Sequence, residues 1–168
     1  LPADAPDNLD FRRPETMAQP VESGCAGCGT IAEAAAQAEI IIVMVSDTPD
    51  VEQVLFDESG VAAGAKPGSV VVDMSTISPT ATRAFAEKLQ ARGIEMLDAP
   101  VSGGDVGAIN ATLSIMVGGK PEVFERVKPV FEAMGKNIVR VGDIGAGQVA
   151  KACNQIVVAV TIEGVAEA

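Results

Sequence analysis

The chain has 168 residues, 48% of them hydrophobic, which suits one soluble domain with a sizeable core and part of a second. Its formal net charge is −11, and only 3% of its residues are aromatic. Nucleic-acid binders need basic patches and stacking platforms, so this composition argues against a nucleic-acid partner. With no His and no Tyr, any proton transfer must use Lys, Asp, Glu or Cys.

Three cysteines, Cys25, Cys28 and Cys153, leave an odd count. Cys25 and Cys28 form a CxxC just before a predicted helix, where thiolates are stabilised, so a thiol redox pair is one hypothesis. The alternative is two small residues in a glycine-rich turn. Because there is no second CxxC and no His to complete a zinc site, we predict no metal.

No stretch approaches the roughly 18 consecutive apolar residues of a membrane span. Residues 1–7 have neither the basic nor the apolar region of a signal peptide. We therefore predict a cytoplasmic protein without a membrane partner.

From residue 30 onward, predicted helices alternate with predicted strands. Thr30 and Glu33 form a capping box, and the unbroken apolar run 39–46 predicts a strand buried on both faces, as in a parallel sheet. Thr48 and Ser78, each followed by Pro, are predicted helix N-caps. The remaining predicted strands are 69–74, 94–98, 112–117 and 137–141, and the predicted helices lie near 49–57, 78–93, 105–110 and 121–134. This alternation predicts an α/β fold with a doubly wound sheet.

Residues 148–168 predict a helix that is apolar on nearly all sides, of the kind that lies between packed layers. We interpret it as the first helix of an all-α domain.

Three loops, 45–48, 75–78 and 100–104, follow the carboxyl ends of predicted strands, where open α/β sheets bind ligands. Thr76 is not needed as a helix cap, so a ligand role and a structural role are equally open. The amides around Ser102, Gly103 and Gly104 can form an anion-binding nest.

Lys151 is a lone cation on the apolar C-terminal helix. A buried ammonium group is costly unless it is paired or loses its proton, and such groups are suited to acid–base chemistry. Asn154 and Gln155 lie three and four residues later and share its face. The alternative is a lysine whose head extends to solvent.

Three segments carry a family resemblance. The segments 98–104 (DAPVSGG), 145–155 (GAGQVAKACNQ) and 72–79 (VDMSTISP) resemble, in order, the substrate loop, the catalytic segment and the nicotinamide loop of the β-hydroxyacid dehydrogenases. The similarity runs from about residue 11 to the end. It implies an NAD(P)-binding, incomplete Rossmann-type domain over residues 1–144 and the start of a helical domain over 145–168.

The resemblance also implies a role for each matching residue. Lys151 would be the general acid/base. The substrate would be bound by Ser102, Gly103, Gly104 and Asn154, and the cofactor by Arg12, Arg13, Val45, Ser46 and Thr76. Arginines at positions 12 and 13 can pair with the 2′-phosphate of NADP, which slightly favours NADP over NAD.

Within the family, the Asn-Gln pair 154–155 is similar to that of the tartronate semialdehyde reductases. The implied reaction is reduction of tartronate semialdehyde to glycerate, with 3-hydroxyisobutyrate dehydrogenation as the alternative. The implied full-length enzyme is a homo-oligomer that acts on a small carboxylate.

The sequence also departs from the family pattern. The chain has no G-x-G-x-x-G turn, and residues 1–10 do not resemble the expected second strand. We therefore expect a piece of a longer enzyme that is inactive by itself and prone to association. A non-catalytic module that binds a nucleotide or a carboxylate is the alternative of a different class.

Overall fold

A computed structural model describes residues Asn8–Leu9 and 24–168. The strands are β1 (Asn8–Leu9), β2 (Ala26–Gly27), β3 (Ile40–Val43), β4 (Val70–Asp73), β5 (Glu95–Asp98), β6 (Val101–Ser102), β7 (Leu113–Gly118) and β8 (Gly135–Gly142). The helices are α1 (Ile31–Gln37), α2 (Thr48–Phe56), α3 (Val61–Gly64), α4 (Pro79–Gln90), α5 (Gly104–Ile109), α6 (Pro121–Glu132) and α7 (Ala146–Glu167).

The main sheet of the described residues is mixed. Strands β3, β4 and β5 are parallel neighbours, whereas β7 is antiparallel to β5 and parallel to β8. Strand β6 continues β5, because both pair with β7 in one register, with Asp98 opposite Gly118 and Ser102 opposite Ser114. The sheet is thus parallel except where β5 and its continuation β6 pair with β7.

Helices cover both faces of this sheet. Helices α2 and α4 pack Leu55 and Leu89 against one face, and α6 packs Val127 and Phe131 against the other. These four side chains are completely buried. The predicted doubly wound α/β fold is confirmed.

Two local predictions are wrong. Strand β3 was predicted to be buried on both faces, but it is an edge strand among the described residues. The side chain of Ile42 in this strand is 45% exposed. The N-cap of α2 is Asp47 rather than Thr48, since the Asp47 carboxylate accepts from the Thr48 amide at 2.6 Å. Asn8–Leu9, within the segment that does not resemble the family's second strand, pairs in parallel with Ala26–Gly27.

Helix α7 is helical as predicted but is not a core helix in the described structure. Ile156, Val160 and Val165 are 64%, 66% and 72% exposed, because no described element packs on that side. By length and composition alone, α7 could also cross a membrane. The core helix of a soluble protein can have the same length and composition.

Gly147 allows α7 to approach the sheet. A Cβ at this position would lie 2.8 Å from both the carbonyl oxygen and Oδ2 of Asp98. Gly164, in the same helix, has no neighbour within 4 Å of its would-be Cβ among the described residues.

We expect Gly147→Ala to lower the unfolding free energy by about 1–3 kcal/mol, because the new methyl group meets rigid backbone. Gly164→Ala should instead raise it by about 0.5–1 kcal/mol, since alanine favours the helix. Urea unfolding of the two variants measures both values. Equal effects of the two substitutions would contradict the close approach at Gly147.

Candidate functional site

The candidate site lies at the carboxyl edge of the parallel strands. Val43, Asp73 and Asp98 end β3, β4 and β5 and are opposite one another in the ladder. The loops that follow all leave from this edge, which is where open α/β sheets bind ligands.

Asp98 fastens the start of α7 to this edge. Its Oδ1 accepts from the Gly145 amide at 2.7 Å, and its Oδ2 accepts from the Gln148 amide at 2.9 Å. The side chain is fully buried. Burial raises the pKa of Asp98, whereas the hydrogen bonds from the Gly145 and Gln148 amides act in the opposite direction.

Gln148 joins α7 to the loop after β4. Its side chain is 1% exposed, its Oε1 accepts from the Ile77 amide at 3.1 Å, and its Nε2 donates to the Ser75 carbonyl at 2.8 Å. The two partners flank Thr76. One side chain therefore holds the backbone on both sides of that residue.

The loop after β3 is joined to the same loop. The Val45 amide donates to Oγ of Ser75 at 2.9 Å, and the Ser78 amide donates to Oγ1 of Thr48 at 3.2 Å. Thr48 therefore connects the two loops instead of capping its own helix. Ser78 does cap α4, as predicted, by accepting from the Ala81 amide.

On α7, a row of polar side chains faces the domain. Gln148 is buried, and Lys151 and Asn154, at successive intervals of three residues, are half-buried. Lys151 makes no hydrogen bond or ion pair with any residue that the structure describes. Asn154 donates from Nδ2 to Oε1 of Gln155 at 3.1 Å.

The chain matches, over residues 9–142, the family model for the NAD binding domain of 6-phosphogluconate dehydrogenase. It is 52% identical over 145 residues to 2-hydroxy-3-oxopropionate reductase of Escherichia coli K12, a match that covers 86% of this chain and 50% of the relative. The chain belongs to the β-hydroxyacid dehydrogenase family.

Two further relatives of this family have different names. The NAD-dependent L-serine dehydrogenase of Pseudomonas aeruginosa is 44% identical over 148 residues, covering 88% of this chain and 50% of the relative. The structure of Mycobacterium tuberculosis 3-hydroxyisobutyrate dehydrogenase with L-serine has a TM-score of 0.87 at 38% identity, covering 93% of this chain and 53% of that one. The chain spans about half the length of the relatives it matches.

Three of the residues predicted to bind substrate, Ser102, Gly103 and Gly104, lie at the carboxyl edge, on β6 and at the start of α5. Ser102 is half-buried at the end of β6. Gly103 and Gly104 are exposed, with φ of 141° and 60°, a region that favours glycine. Because they begin α5, their amides have no partner within that helix.

The predicted cofactor residues are divided between the described and undescribed parts of the chain. Val45 is half-buried, and Ser46 and Thr76 are exposed. Arg12 and Arg13 lie outside the described residues.

The hydrogen bonds of Ser75 and Gln148 connect three parts of the candidate site. These parts are the loop of Val45 and Ser46, the loop of Thr76 and the helix of Lys151.

The sequence alone does not predict a role for Asp73, Ser75, Asp98 or Gln148. A usable signal was present for the two acids, since each ends an otherwise apolar strand, where an unpaired carboxylate would be costly. The signal for Gln148 was weaker, because this residue lies at the start of a predicted helix that is apolar on nearly all sides. Its partners lie more than 70 positions away in sequence.

The cysteines take no part in this network. Cys25 and Cys28 are free and half-buried, and Cys153 is free and exposed. The thiol redox hypothesis stays a prediction.

The described residues contain no cluster of His, Cys, Asp and Glu that could hold a metal ion.

Asp73 is a buried acid of the site whose pKa is strongly raised. Its Oδ1 accepts from the Ser75 amide at 3.0 Å, whereas its buried Oδ2 has no partner among the described residues. Desolvation raises the pKa of Asp73 from 3.8 to about 6, with a smaller contribution from the charge of Asp98.

We expect Asp73 to make the protein less stable as pH rises from about 4 to about 6. In this window the folded chain holds a proton that the unfolded chain has released, so the unfolding free energy falls with pH. The difference between 3.8 and about 6 corresponds to about 3 kcal/mol at most.

Asp73→Asn should remove that part of the pH dependence, as measured by urea unfolding at several pH values. The exposed Glu58 provides a control, Glu58→Gln, that should keep the wild-type dependence. An unchanged fall in stability in Asp73→Asn would show that Asp73 titrates normally.

Proposed function

We propose that the chain is the cofactor-binding part of an NAD(P)-dependent dehydrogenase that transfers hydride between nicotinamide and a small hydroxy acid or its semialdehyde. Residues 1–144 would form the nucleotide-binding domain and residues 145–168 would begin a helical domain. The observation that carries the proposal is the inward-facing polar row of α7, in which Lys151 follows a glutamine bonded to the Thr76 loop.

The side chains at the carboxyl edge suit a nicotinamide cofactor and a carboxylate. Ser46 and Thr76 offer exposed hydroxyl groups. Gly103 and Gly104 are exposed and offer backbone amides that no side chain of their own shields from a ligand. When bound, the cofactor would supply or accept the hydride.

Lys151 would perform the proton transfer. In the direction of reduction, its Nζ would donate a proton to the carbonyl oxygen of the substrate, and in oxidation it would take a proton from the hydroxyl group. Asn154 would orient that oxygen from the next turn of the helix, and Ser102, Gly103 and Gly104 would hold the carboxylate.

Tartronate semialdehyde is the proposed substrate and glycerate the product. The support is the 52% identity to 2-hydroxy-3-oxopropionate reductase together with the Asn-Gln pair 154–155. 3-Hydroxyisobutyrate is the alternative. The full-length enzyme is proposed to be a cytoplasmic homo-oligomer.

For Lys151→Ala in the full-length protein, we expect kcat to fall by about 10²- to 10⁴-fold with tartronate semialdehyde and NAD(P)H, because the proton donor is lost. The KM for the cofactor should change little. The exposed Lys136 provides a control, Lys136→Ala, that should keep wild-type turnover.

The same assay tests the reaction and the substrate. Wild-type kcat in Lys151→Ala would contradict the role of Lys151. In the oxidation direction, with NAD(P)+ as hydride acceptor, a higher kcat/KM for 3-hydroxyisobutyrate than for glycerate would make the alternative substrate the correct one.

Arg12 and Arg13 are proposed to favour NADP by binding its 2′-phosphate. Alanine at both positions should raise the KM for NADPH about tenfold or more and leave that for NADH nearly unchanged. Steady-state kinetics with each cofactor measure this difference. An equal change for both cofactors would mean that the two arginines do not read the phosphate.

The second candidate function is a non-catalytic module that binds a nucleotide or a carboxylate in the same crevice. It would use the exposed Ser46 and Thr76 and the amides of Gly103 and Gly104 without a proton-transfer step. NADPH binding by the 168-residue chain in equilibrium dialysis, combined with no turnover by the full-length protein, would support this candidate over the dehydrogenase.

A further inference from the structure

Gln148 is a buried amide in a place where an apolar side chain would be easier to accommodate. Apart from glycine, it is the one fully buried residue of α7 in the described structure. A buried amide without partners is unfavourable by about 1–3 kcal/mol, so its hydrogen bonds determine whether it is tolerated. Both ends of the Gln148 amide have a partner.

The partners of that amide are main-chain groups on either side of one residue. Oε1 accepts from the Ile77 amide, and Nε2 donates to the Ser75 carbonyl. The glutamine accepts one hydrogen bond through Oε1 and donates the other through Nε2. Only a group that both donates and accepts can therefore replace it. The backbone around Thr76 is therefore held at a fixed distance from α7.

The main chain of Gln148 is fixed as well. Its amide donates to Oδ2 of Asp98, and the Gly145 amide donates to Oδ1. Helix α7 is thus attached to the end of β5 by its backbone and to the loop after β4 by a side chain. Lys151 lies three residues beyond Gln148, on the same face.

We propose that Gln148 is a positioning residue that sets the distance between the proton-transfer group of Lys151 and the cofactor loop at Thr76. The inference rests on the proposed function of Lys151. Proton and hydride transfer to one carbonyl group require both donors to be placed correctly, and a misplacement of about 1 Å can lower the rate about 10²-fold.

Gln148→Met keeps the length of the side chain and removes both hydrogen bonds. We expect it to lower kcat about 10- to 100-fold, while the KM for substrate changes by less than about threefold. The exposed Gln90 on α4 provides a matched control, Gln90→Met, that should keep wild-type kinetics. Wild-type kcat in Gln148→Met, or a loss explained entirely by a smaller folded fraction, would overturn the proposal.

Gln148→Glu gives a readout that a purely structural role would not produce. The introduced carboxyl can accept from the Ile77 amide at any pH, but it can donate to the Ser75 carbonyl only when protonated. Burial and the acids Asp73 and Asp98 oppose its ionisation, whereas Lys151 on the next turn favours it.

The kcat of Gln148→Glu relative to wild type should therefore rise by about threefold or more as pH falls from about 8 to about 6. A ratio that stays constant with pH would contradict the requirement for a donor at this position.

Amide hydrogen exchange separates a failure of this inference from a failure of the proposed function. Gln148→Met should speed exchange of the Ile77 amide about tenfold or more, because its acceptor is lost, and leave the amide of Val71 in β4 unchanged. If wild-type protein lacked dehydrogenase activity, the proposed function would fail, and the positioning role that rests on it would fail too. Unchanged exchange at Ile77 would overturn the inference even in an active enzyme.

Discussion

The carboxylate of Asp98 accepts hydrogen bonds from the Gly145 and Gln148 amides at a position that solvent does not reach. Amides at the start of a helix have no partner within it, and an anion there is also favoured by the helix dipole. The bonds to Asp98 therefore satisfy the helix and the buried acid together. Where α7 begins, and hence where Lys151 lies, depends on this junction.

The junction has a steric requirement as well as an electrostatic one. Gly118 and Gly147 both lie against Asp98, and a Cβ on either would meet its carboxylate. Around this contact, Ser75 and Gln148 extend the connection to the loops after β3 and β4. The loops proposed to bind cofactor and the helix proposed to transfer a proton are consequently parts of one hydrogen-bonded assembly.

Much of the fold could be predicted from the sequence, because its signals are local. Unbroken β-branched runs such as 70–72 predicted buried strands, and Ser78 before a proline predicted the start of α4. The antiparallel direction of β7 could not be predicted in this way, since strand direction depends on how the chain returns to the sheet. The exposed position of Ile42 also depends on which neighbours are present rather than on its own residue type.

The candidate site was predictable in part for the same reason. Lys151 stood out as a lone cation in an apolar helix, and the glycines at 103 and 104 marked a special backbone. The hydrogen bonds of Asp98 and Gln148 are long-range, joining residues 47 to 73 positions apart, and no local pattern encodes them. The polar row of α7 faces inward and its apolar residues face outward, which becomes visible only once the helix is placed on the sheet.

We propose that ligands bind at the carboxyl edge, where Asp98 holds α7. NMR shifts of the backbone amides during titration with NADPH test it most directly. We expect shifts at Val45, Ser46 and Thr76, and none at Gly68 and Gly93, which precede β4 and β5 at the opposite edge. Shifts confined to Gly68 and Gly93, or no shift at Val45, Ser46 and Thr76, would contradict it.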